Sequence, residues 1–359
     1  MTIAISIANE ADQPSWDAFV AQHSDASPYH RYAWGQAVQA AYGFTPRYFI
    51  AKQNNDIVGV LPTIEFSRPL LKNKLCSLPY CDLGGPLATE LSIVQQLLDA
   101  AKQHAKKQRF DHLQLRQLSA ANQPPATPEQ LQGLKVSMRM ALAQSAEAQL
   151  ASFKSKLRSQ IRKAEKNGLH SETGNSETLL NHFYEVMLVN MRALGSPVHS
   201  YQWFEQIVKH YGSHCLLSVI YKDDIPVGGG LIVKNGTMAS IPWASTKAEF
   251  NRLAPNMLLY WSLLAHCADN GIELFDFGRS TYGEGTYKFK TQWGATPTPL
   301  AWQDFNKGLA VDHSQVTNNT GADSKLSGMV KSWVVGSWQR LPLQMTGSLG
   351  PRLRKYIDL

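Results

Sequence analysis

The stretch Ile272–Gly294, IELFDFGRSTYGEGTYKFKTQWG, carries more information about this chain than any other. It begins with a continuous apolar run, which is typical of a buried strand. Glycines then interrupt the run, and charged and hydroxyl-bearing residues cluster around them: Asp276, Arg279, Ser280, Tyr282, Glu284, Tyr287, Lys288 and Lys290. A buried strand that ends in such a loop places reactive groups on a rigid element. The stretch therefore predicts a functional site, and the alternative is a strand followed by a solvated polar turn.

The segment FDFGRS followed by GTYKFKTQWG resembles the C-terminal signature of the FemAB-like transferases, in the branch associated with bacterial envelope and exopolysaccharide gene systems. Four more segments resemble that family in its order: CSLPYCDLGGPL (76–87), KLRSQIRKAEKNGL (156–169), LGSPVHSYQWFEQI (194–207) and APNMLLYWSLLAHCADNGIELFDFG (254–278). The resemblance covers roughly residues 15–305. It implies an α/β fold of two tandem acetyltransferase-like (GNAT) domains, with mixed twisted sheets flanked by helices.

The composition indicates an ordinary globular protein. At 359 residues, 43% hydrophobic and 10% aromatic, the chain is long enough for two domains. Its first residues show neither a cationic start nor a sustained apolar run, and no stretch approaches the roughly 20 apolar residues of a membrane span. The four cysteines and 11 histidines show no metal-ligand spacing, so we expect no metal site and a cytoplasmic protein.

The formal charge of +7 is concentrated in two short segments. Residues 151–170 and 324–359 each hold six basic residues against one acidic residue. Such clustering indicates an anionic partner at those places, such as CoA, tRNA or a nucleotide- or lipid-linked sugar. Plain nucleic-acid binding is disfavoured because the basic segments lack interleaved aromatic residues.

Two segments share one pattern, which suggests an internal duplication. In both Arg47–Phe66 and Cys215–Lys234, an apolar strand is followed by a polar turn and then by a second apolar strand that opens with a Val-Gly pair. This pattern predicts two hairpins. Helical patterns flank both: 32–42 and 93–108 in the first half, and 178–192, 201–211 and 257–270 in the second. We predict an N-terminal domain (1–150), a C-terminal domain (151–305), a linker (306–323) and a basic tail (324–359). The Pro-rich segment 119–131 is predicted to be an irregular excursion.

A basic amphipathic helix is predicted over 152–167. Phe153, Leu157, Ile161 and Ala164 form one apolar stripe, and Gly168 supplies a left-handed stop. The basic residues cover the remaining surface, which is either a solvated face or an anion-binding one. In Fem-type ligases a helical element at the corresponding place is linked to tRNA, but this helix is much shorter than their long coiled arm.

Lys290 is the leading candidate catalytic residue. It stands at the lysine of the family's Phe-Lys motif, where the resemblance implies a cation against a substrate phosphate or the developing charge. Arg279 would be a second clamp, since its planar guanidinium binds anions through two bonds. Asp276 and Glu284 are candidate proton acceptors for an attacking amine, although Asp276 is alternatively an ion-pair partner of Arg279.

Other residues are predicted to bind the donor or the substrate. They are Ser280, Tyr287, Lys288, Trp243, Arg252 and Asn256. The last two precede or begin a predicted helix whose N-terminus offers N–H groups to an anion. The usual glycine pair of acetyl-CoA enzymes is missing from KAEFNRLAPNMLLYW (247–261), which favours the Fem-type resemblance. The glycines of 227–230 are better explained as part of a strand weakened by glycine than as a backbone contact to the acyl donor.

The sequence therefore predicts an N-acyltransferase or aminoacyltransferase that modifies an amino group on a cell-wall or exopolysaccharide precursor. Acyl-CoA or aminoacyl-tRNA would be the donor. The alternative is a non-catalytic GNAT scaffold in envelope polysaccharide assembly. The tail mixes aromatic, aliphatic and basic residues, so it is either an interfacial segment at the inner face of the cytoplasmic membrane or a helix docked on the domain.

Overall fold

The computed structural model describes residues 3–67, 73–119, 127–306, 309–311 and 333–358. Most of the predicted linker (306–323), the start of the predicted tail and the centre of the Pro-rich excursion lie outside these residues. Twelve helices are described: α1 Gln13–Gln22, α2 Tyr32–Tyr42, α3 Leu91–Lys107, α4 Pro128–Leu131, α5 Ala146–Ser152, α6 Ser155–Lys166, α7 Glu177–Ala193, α8 Tyr201–Tyr211, α9 Pro255–Asp269, α10 Gly285–Gln292, α11 at residues 333–340 and α12 Leu343–Arg354. None of the described helices is long and apolar enough to cross a membrane.

The described strands form two sheets. They are β1 Ala4–Ile7, β2 Thr45–Pro46, β3 Phe49–Gln53, β4 Asp56–Leu61, β5 Ile64–Phe66, β6 Lys74–Cys76, β7 Leu87–Ala88, β8 His112–Leu118, β9 Lys135–Ala141, β10 Leu169–Gly174, β11 Cys215–Lys222, β12 Ile225–Asn235, β13 Met238–Thr246, β14 Leu274–Thr281, β15 Thr296–Asn306 and β16 Leu309–Val311. The smaller sheet has the order β1-β3-β4-β7. The larger sheet runs β10-β11-β12-β13-β14-β9-β15-β8-β6-β5-β2, with β16 paired to β15.

Two strands join the halves of the molecule. β9, which precedes the predicted boundary at residue 150, pairs antiparallel with β14 of the second half. β15 pairs with β9 through Thr296–Pro299 and with β8 through Leu300–Asn306. The boundary itself falls inside α5. The division into domains at that residue stays a prediction, and the sheet continues across it.

Both predicted hairpins are present. β3 pairs with β4 around a turn in which Asn54 and Asn55 have φ of 51° and 70°, and β11 pairs with β12 around Asp223 at φ 53°. Asn and Asp tolerate the left-handed conformation that tight hairpin turns need. The glycines of 228–230 lie inside β12, so they form part of a strand as the sequence favoured, and they also permit close packing. A Cβ at Gly229 would lie 3.1 Å from the ring of Phe183, and one at Gly230 would lie 3.2 Å from Leu263.

An aromatic core lies between the halves. α2 packs on α8, and Trp34 of α2 contacts rings from the second half. Its ring is parallel to that of Trp243, with centroids 6.0 Å apart, and meets that of Trp203 edge-on at 5.4 Å. Buried aromatic pairs of this kind contribute stability beyond the area they bury. They also fix β13, which carries Trp243, relative to the first half.

The predicted basic helix is divided in two, which corrects its N-terminal boundary. α5 ends at Ser152, Phe153 is extended, and α6 begins at Ser155. The break turns Phe153 inward against Trp261 and Trp293, at ring-centroid distances of 6.1 and 5.5 Å. The apolar stripe is buried as predicted, and Gly168 adopts φ 76°. Most of the basic side chains of α6 are exposed.

The described part of the tail is docked on the domain. Arg192 of α7 donates a hydrogen bond to the carbonyl of Leu341 at 2.6 Å, and the backbone of Gly350 lies against Val198. α12 exposes a separate apolar stripe of Met345, Leu349 and Leu353 at intervals of four residues, and Ile357, just after the helix, is also exposed. Docking and amphipathic character therefore coexist in this segment.

Candidate functional site

The strands β13 and β14 separate in the middle of the larger sheet. The two strands pair in parallel from Met238 opposite Leu274 to Ser240 opposite Asp276. Among the described residues that follow, no further pairing between them is present. β13 carries an irregularity against β12 at this level, because Leu231 pairs with Trp243 but Val233 pairs with Ser240. β14 has its own register shift against β9 between Asp276 and Arg279. Bulges bend a strand away from its neighbour, so the two strands splay and open a space between them.

That space is a cavity of about 360 Å³. β13 contributes Ile241–Ala244 to its walls, and β14 contributes Phe277, Gly278 and Arg279. The other lining residues come from several elements: Tyr29, Tyr80, Cys81, Asp82, Tyr260, Thr286, Lys290 and Arg354. A concave pocket that combines aromatic side chains with a few convergent charges is a common form of small-molecule site.

Lys290 lines this cavity, and its predicted catalytic role stays a prediction. It is on α10, only 8% exposed, and its Nζ donates to the carbonyls of Gly278 at 3.0 Å and Arg279 at 2.9 Å. Burial lowers the pKa of Lys290 to about 8, against the opposing effect of Asp276 and Asp82. An ammonium has three N–H donors, so two anchor it to the bulge of β14 and the third is available to a ligand.

Arg279 also lies in the cavity, and its carboxylate partner is Asp82. The guanidinium is 3.5 Å from the Asp82 carboxylate, and the backbone N–H of Arg279 donates to that carboxylate at 3.3 Å. The guanidinium lies over the ring of Trp302, 5.3 Å from its centroid. These contacts hold Arg279 in one place, as binding an anion requires.

Asp276 is buried beside the bulge and is not among the lining residues. Its Oδ1 accepts from Ser137 at 2.9 Å and from the N–H of Gly278 at 2.7 Å, and its Oδ2 is 3.6 Å from Nε of Arg139. Burial raises the pKa of Asp276. The alternative that Asp276 pairs with Arg279 is therefore wrong: its cation is Arg139. Since the bond to Gly278 supports a residue with φ 73°, Asp276 holds the bulge in shape.

The remaining predicted residues of this stretch lie around the cavity. Glu284 precedes α10 and is exposed, as is Lys288, whereas Tyr287 is half-buried against Tyr282 at a ring-centroid distance of 4.6 Å. Ser280 is 4% exposed, and its Oγ has no hydrogen-bond partner among the described residues. None of these four lines the cavity. Their predicted roles stay predictions.

Arg252 and Asn256 are exposed at the start of α9. Ala254, at φ 65°, caps this helix with no side-chain hydrogen bond. Tyr260 is five residues into α9 and lines the cavity, so the helix N-terminus is within about 8 Å along the helix axis. An anion at this N-terminus would be adjacent to the cavity.

Sequence reasoning missed several residues that the fold brings to the cavity, among them Asp82, Tyr80 and Arg354. Asp82 and Tyr80 come from the loop after β6, and Arg354 comes from α12. The loop carries a signal in the segment 76–87, which shares the family resemblance. Its positive φ values, 66° at Leu78 and 68° at Tyr80, are uncommon for these residue types and mark a constrained loop.

A second cavity, of about 310 Å³, lies between α3 and β8 and is closed on one side by Phe305. Its lining includes Lys102, Lys106 and Arg109. It contains no residue of the splayed strands and none predicted from the sequence. The cavity between β13 and β14 is therefore the candidate functional site.

Comparison with known proteins agrees with this geometry. Residues 151–291 match the family described as an acetyltransferase (GNAT) domain. No curated protein matches the sequence. The family match begins at residue 151, the first residue of the predicted C-terminal domain, and ends one residue after Lys290.

Solved structures share the whole architecture. FemX has a TM-score of 0.68 at 16% identity, over 86% of this chain and 98% of its own. L-PGS from Bacillus licheniformis has a TM-score of 0.54 at 11% identity, over 92% of this chain and 99% of its own. A tandem GNAT protein from the clavulanic acid biosynthesis pathway has a TM-score of 0.52 at 12% identity, over 86% of this chain and 99% of its own. At these identities the likeness establishes the fold, and it confirms the predicted tandem GNAT class.

Residues 151–291 thus match an acetyltransferase (GNAT) domain, and the chain shares the fold of FemX and of the tandem GNAT protein. Within the described residues, no group of three or more His, Cys, Asp and Glu side chains is arranged to hold a metal ion.

Proposed function

We propose that this protein is a GNAT-type acyltransferase whose reaction takes place in the cavity between β13 and β14. One observation carries the proposal. The two strands splay next to paired bulges, and the cavity so formed contains a buried lysine held by the carbonyls of one bulge. Fixed charges in a water-poor site stabilise developing charge more strongly than the same charges in water.

The cavity residues fit a direct transfer. An acceptor amine attacks the donor's carbonyl carbon, the C–N bond forms, and the C–S bond of a thioester or the C–O bond of an ester breaks. The remaining N–H donor of Lys290 would stabilise the oxyanion. The amine's proton needs an acceptor, and Asp82 is the carboxylate that the described residues place in the cavity wall. Asp276 and Glu284, predicted for that role, lie outside the lining.

The acceptor we propose is an amino group on a cell-wall or exopolysaccharide precursor. Three cationic side chains line the cavity against one carboxylate, which favours a substrate with an anionic group. The shared fold of FemX and L-PGS is consistent with an acyl or aminoacyl donor. Arg252, Asn256 and the N-terminus of α9 are placed to bind the donor's phosphates.

The tail's predicted contact with the inner face of the cytoplasmic membrane is supported by the exposed stripe of α12, which lies near Arg352 and Lys355. Apolar and basic groups together favour anionic lipid surfaces. Co-sedimentation with vesicles of anionic lipid, with and without Leu349→Glu, measures this contact. Equal pelleting of both proteins would exclude this stripe as the contact.

The identity of the donor can be tested through α6. We expect the double variant R162E/K163E to weaken aminoacyl-tRNA binding at least tenfold and to leave acyl-CoA binding unchanged, because the exposed lysines and arginines of α6 can meet a nucleic-acid backbone but lie outside the cavity lining. Calorimetric titrations with acetyl-CoA, longer acyl-CoAs and charged tRNA measure this. The matched control is K106E/K107E on α3.

Two outcomes would redirect the assignment. Saturable acyl-CoA binding, with tRNA affinity equal in the α6 variant and the control, would make the protein an acyl-CoA enzyme. If the folded protein bound no donor, the transferase proposal would fail, and the non-catalytic scaffold in envelope polysaccharide assembly would replace it.

A further inference from the structure

The C-terminal tail reaches the wall of the cavity and is fixed there by buried polar contacts. The carboxylate of Asp358 pairs with Lys74 and with Arg116, whose side chain is fully buried. The carbonyl of Asp358 accepts from the N–H of Tyr80 at 2.8 Å and from Arg116 at 2.9 Å. The hydroxyl of Tyr80 donates to the carbonyl of Lys355. The tail thereby holds the same loop that supplies Tyr80 and Asp82 to the cavity.

Arg354 is the tail residue that lines the cavity. Its guanidinium lies over the ring of Tyr80, 5.9 Å from the centroid, and donates to the carbonyl of Ile357. Within the described part of the chain it forms no ion pair with a carboxylate. Burial lowers the pKa of Arg354, with Tyr42, Tyr80 and Asp358 acting against this and Arg279 adding to it.

This arrangement differs from that of the other two cations. Arg279 has Asp82 as its partner, and Lys290 is anchored to two carbonyls. A half-buried guanidinium without a carboxylate partner is stabilised when a ligand supplies the countercharge. Guanidinium groups bind phosphate and carboxylate through paired, charge-assisted hydrogen bonds.

We propose that the C-terminal tail completes the substrate site, and that Arg354 binds a phosphate or carboxylate group of the substrate in the cavity. The proposal deepens the proposed function, since it names the anionic group that the acceptor or donor must carry. Arg354 is a binding residue here, and Asp358 positions it through the tail.

Calorimetric titration with two probes, pyrophosphate and malonate, tests this without any transfer reaction. We expect the wild-type protein to bind at least one probe, and Arg354→Gln to weaken that binding tenfold or more. Arg352→Gln, which removes an exposed arginine from the same helix, should change the affinity less than twofold. Arg354→Lys should retain part of the affinity because it keeps the charge. The probe that binds more tightly identifies the group as phosphate or carboxylate.

Three results would overturn the inference: no binding of either probe by the wild-type protein, equal affinity in wild type and Arg354→Gln, or equal losses in Arg354→Gln and Arg352→Gln. If Arg354→Gln unfolds the tail, the Arg354→Lys titration decides. The outcome is separate from that of the transferase proposal. A protein that binds pyrophosphate through Arg354 but transfers no acyl group keeps this inference and loses the proposed function.

Discussion

Lys290→Met is expected to lower the rate of acyl transfer by about 100-fold or more while leaving the protein folded. Loss of one oxyanion donor costs on the order of 10²–10³ in kcat in enzymes of this kind. Folding disfavours the ammonium of Lys290, because burial lowers its pKa to about 8. Methionine avoids this penalty but leaves the carbonyls of Gly278 and Arg279 without their donor, so we expect the free energy of unfolding to fall by about 1–3 kcal/mol, which leaves the protein folded. Steady-state transfer rates and thermal denaturation measure the two effects separately.

The pH dependence provides the internal control for Lys290. The protonated form is lost as the pH rises through about 8, so the rate should fall on that alkaline limb. The variant Lys290→Arg keeps its positive charge at this pH. Any activity that it retains should therefore not fall as the pH rises through about 8. The free energy of unfolding should change with pH in the opposite direction to the rate. It should rise above about pH 8, because the lysine in the unfolded chain still binds a proton there. An unchanged rate in Lys290→Met would remove Lys290 from the mechanism.

Asp358→Asn is expected to produce the largest loss of stability among the substitutions considered. The carboxylate pairs with Arg116 and Lys74, and the pKa of Asp358 is lowered to about 2 by Arg116, Lys74 and their hydrogen bonds, against the effect of burial. Breaking a buried ion pair from one side costs about 3–5 kcal/mol, because the remaining charge stays buried. Denaturant unfolding measures this loss, and limited proteolysis detects release of the tail.

Asp223→Asn is the matched control, since its carboxylate is 78% exposed and pairs only with neighbouring Lys222 among the described residues. Its effect on the free energy of unfolding should be within about 0.5 kcal/mol. The contribution of Asp358 is present above the unfolded carboxyl's pKa near 4 and is lost as the pH falls from there to about 2. Equal stability of the two variants would mean that the ionic cluster does not hold the tail.

The local elements followed from the sequence. α2 and α8 have the predicted bounds, and both hairpins form where polar turns separate apolar runs. Lys290 and Arg279 could be placed together because they lie 11 positions apart in one segment of strand, turn and helix. Periodicity and turn chemistry act over such distances, and they determine what a single sequence reveals.

The contacts between residues far apart in the chain could not be predicted from the sequence. Asp82 and Arg354 reach the cavity from positions 272 residues apart in the chain, and no local pattern indicates that Arg116 will meet Asp358 across 242 positions. The pairing of β9 with β14 depends on tertiary packing in the same way. The break before α6 was missed because Phe153 continues the helical stripe in sequence but turns toward Trp293 in the fold.

The central claim is that the cavity between β13 and β14 receives the acyl donor. Ala244 lines that cavity, so Ala244→Trp should fill it, whereas Lys106→Trp fills the second cavity instead. The decisive measurement is calorimetric titration of wild type and both variants with acetyl-CoA, longer acyl-CoAs and charged tRNA, with folding checked by thermal denaturation. We predict saturable binding of one donor class by wild type and Lys106→Trp, and its loss in folded Ala244→Trp. Undiminished donor binding by Ala244→Trp, or loss of binding only in Lys106→Trp, would contradict the account.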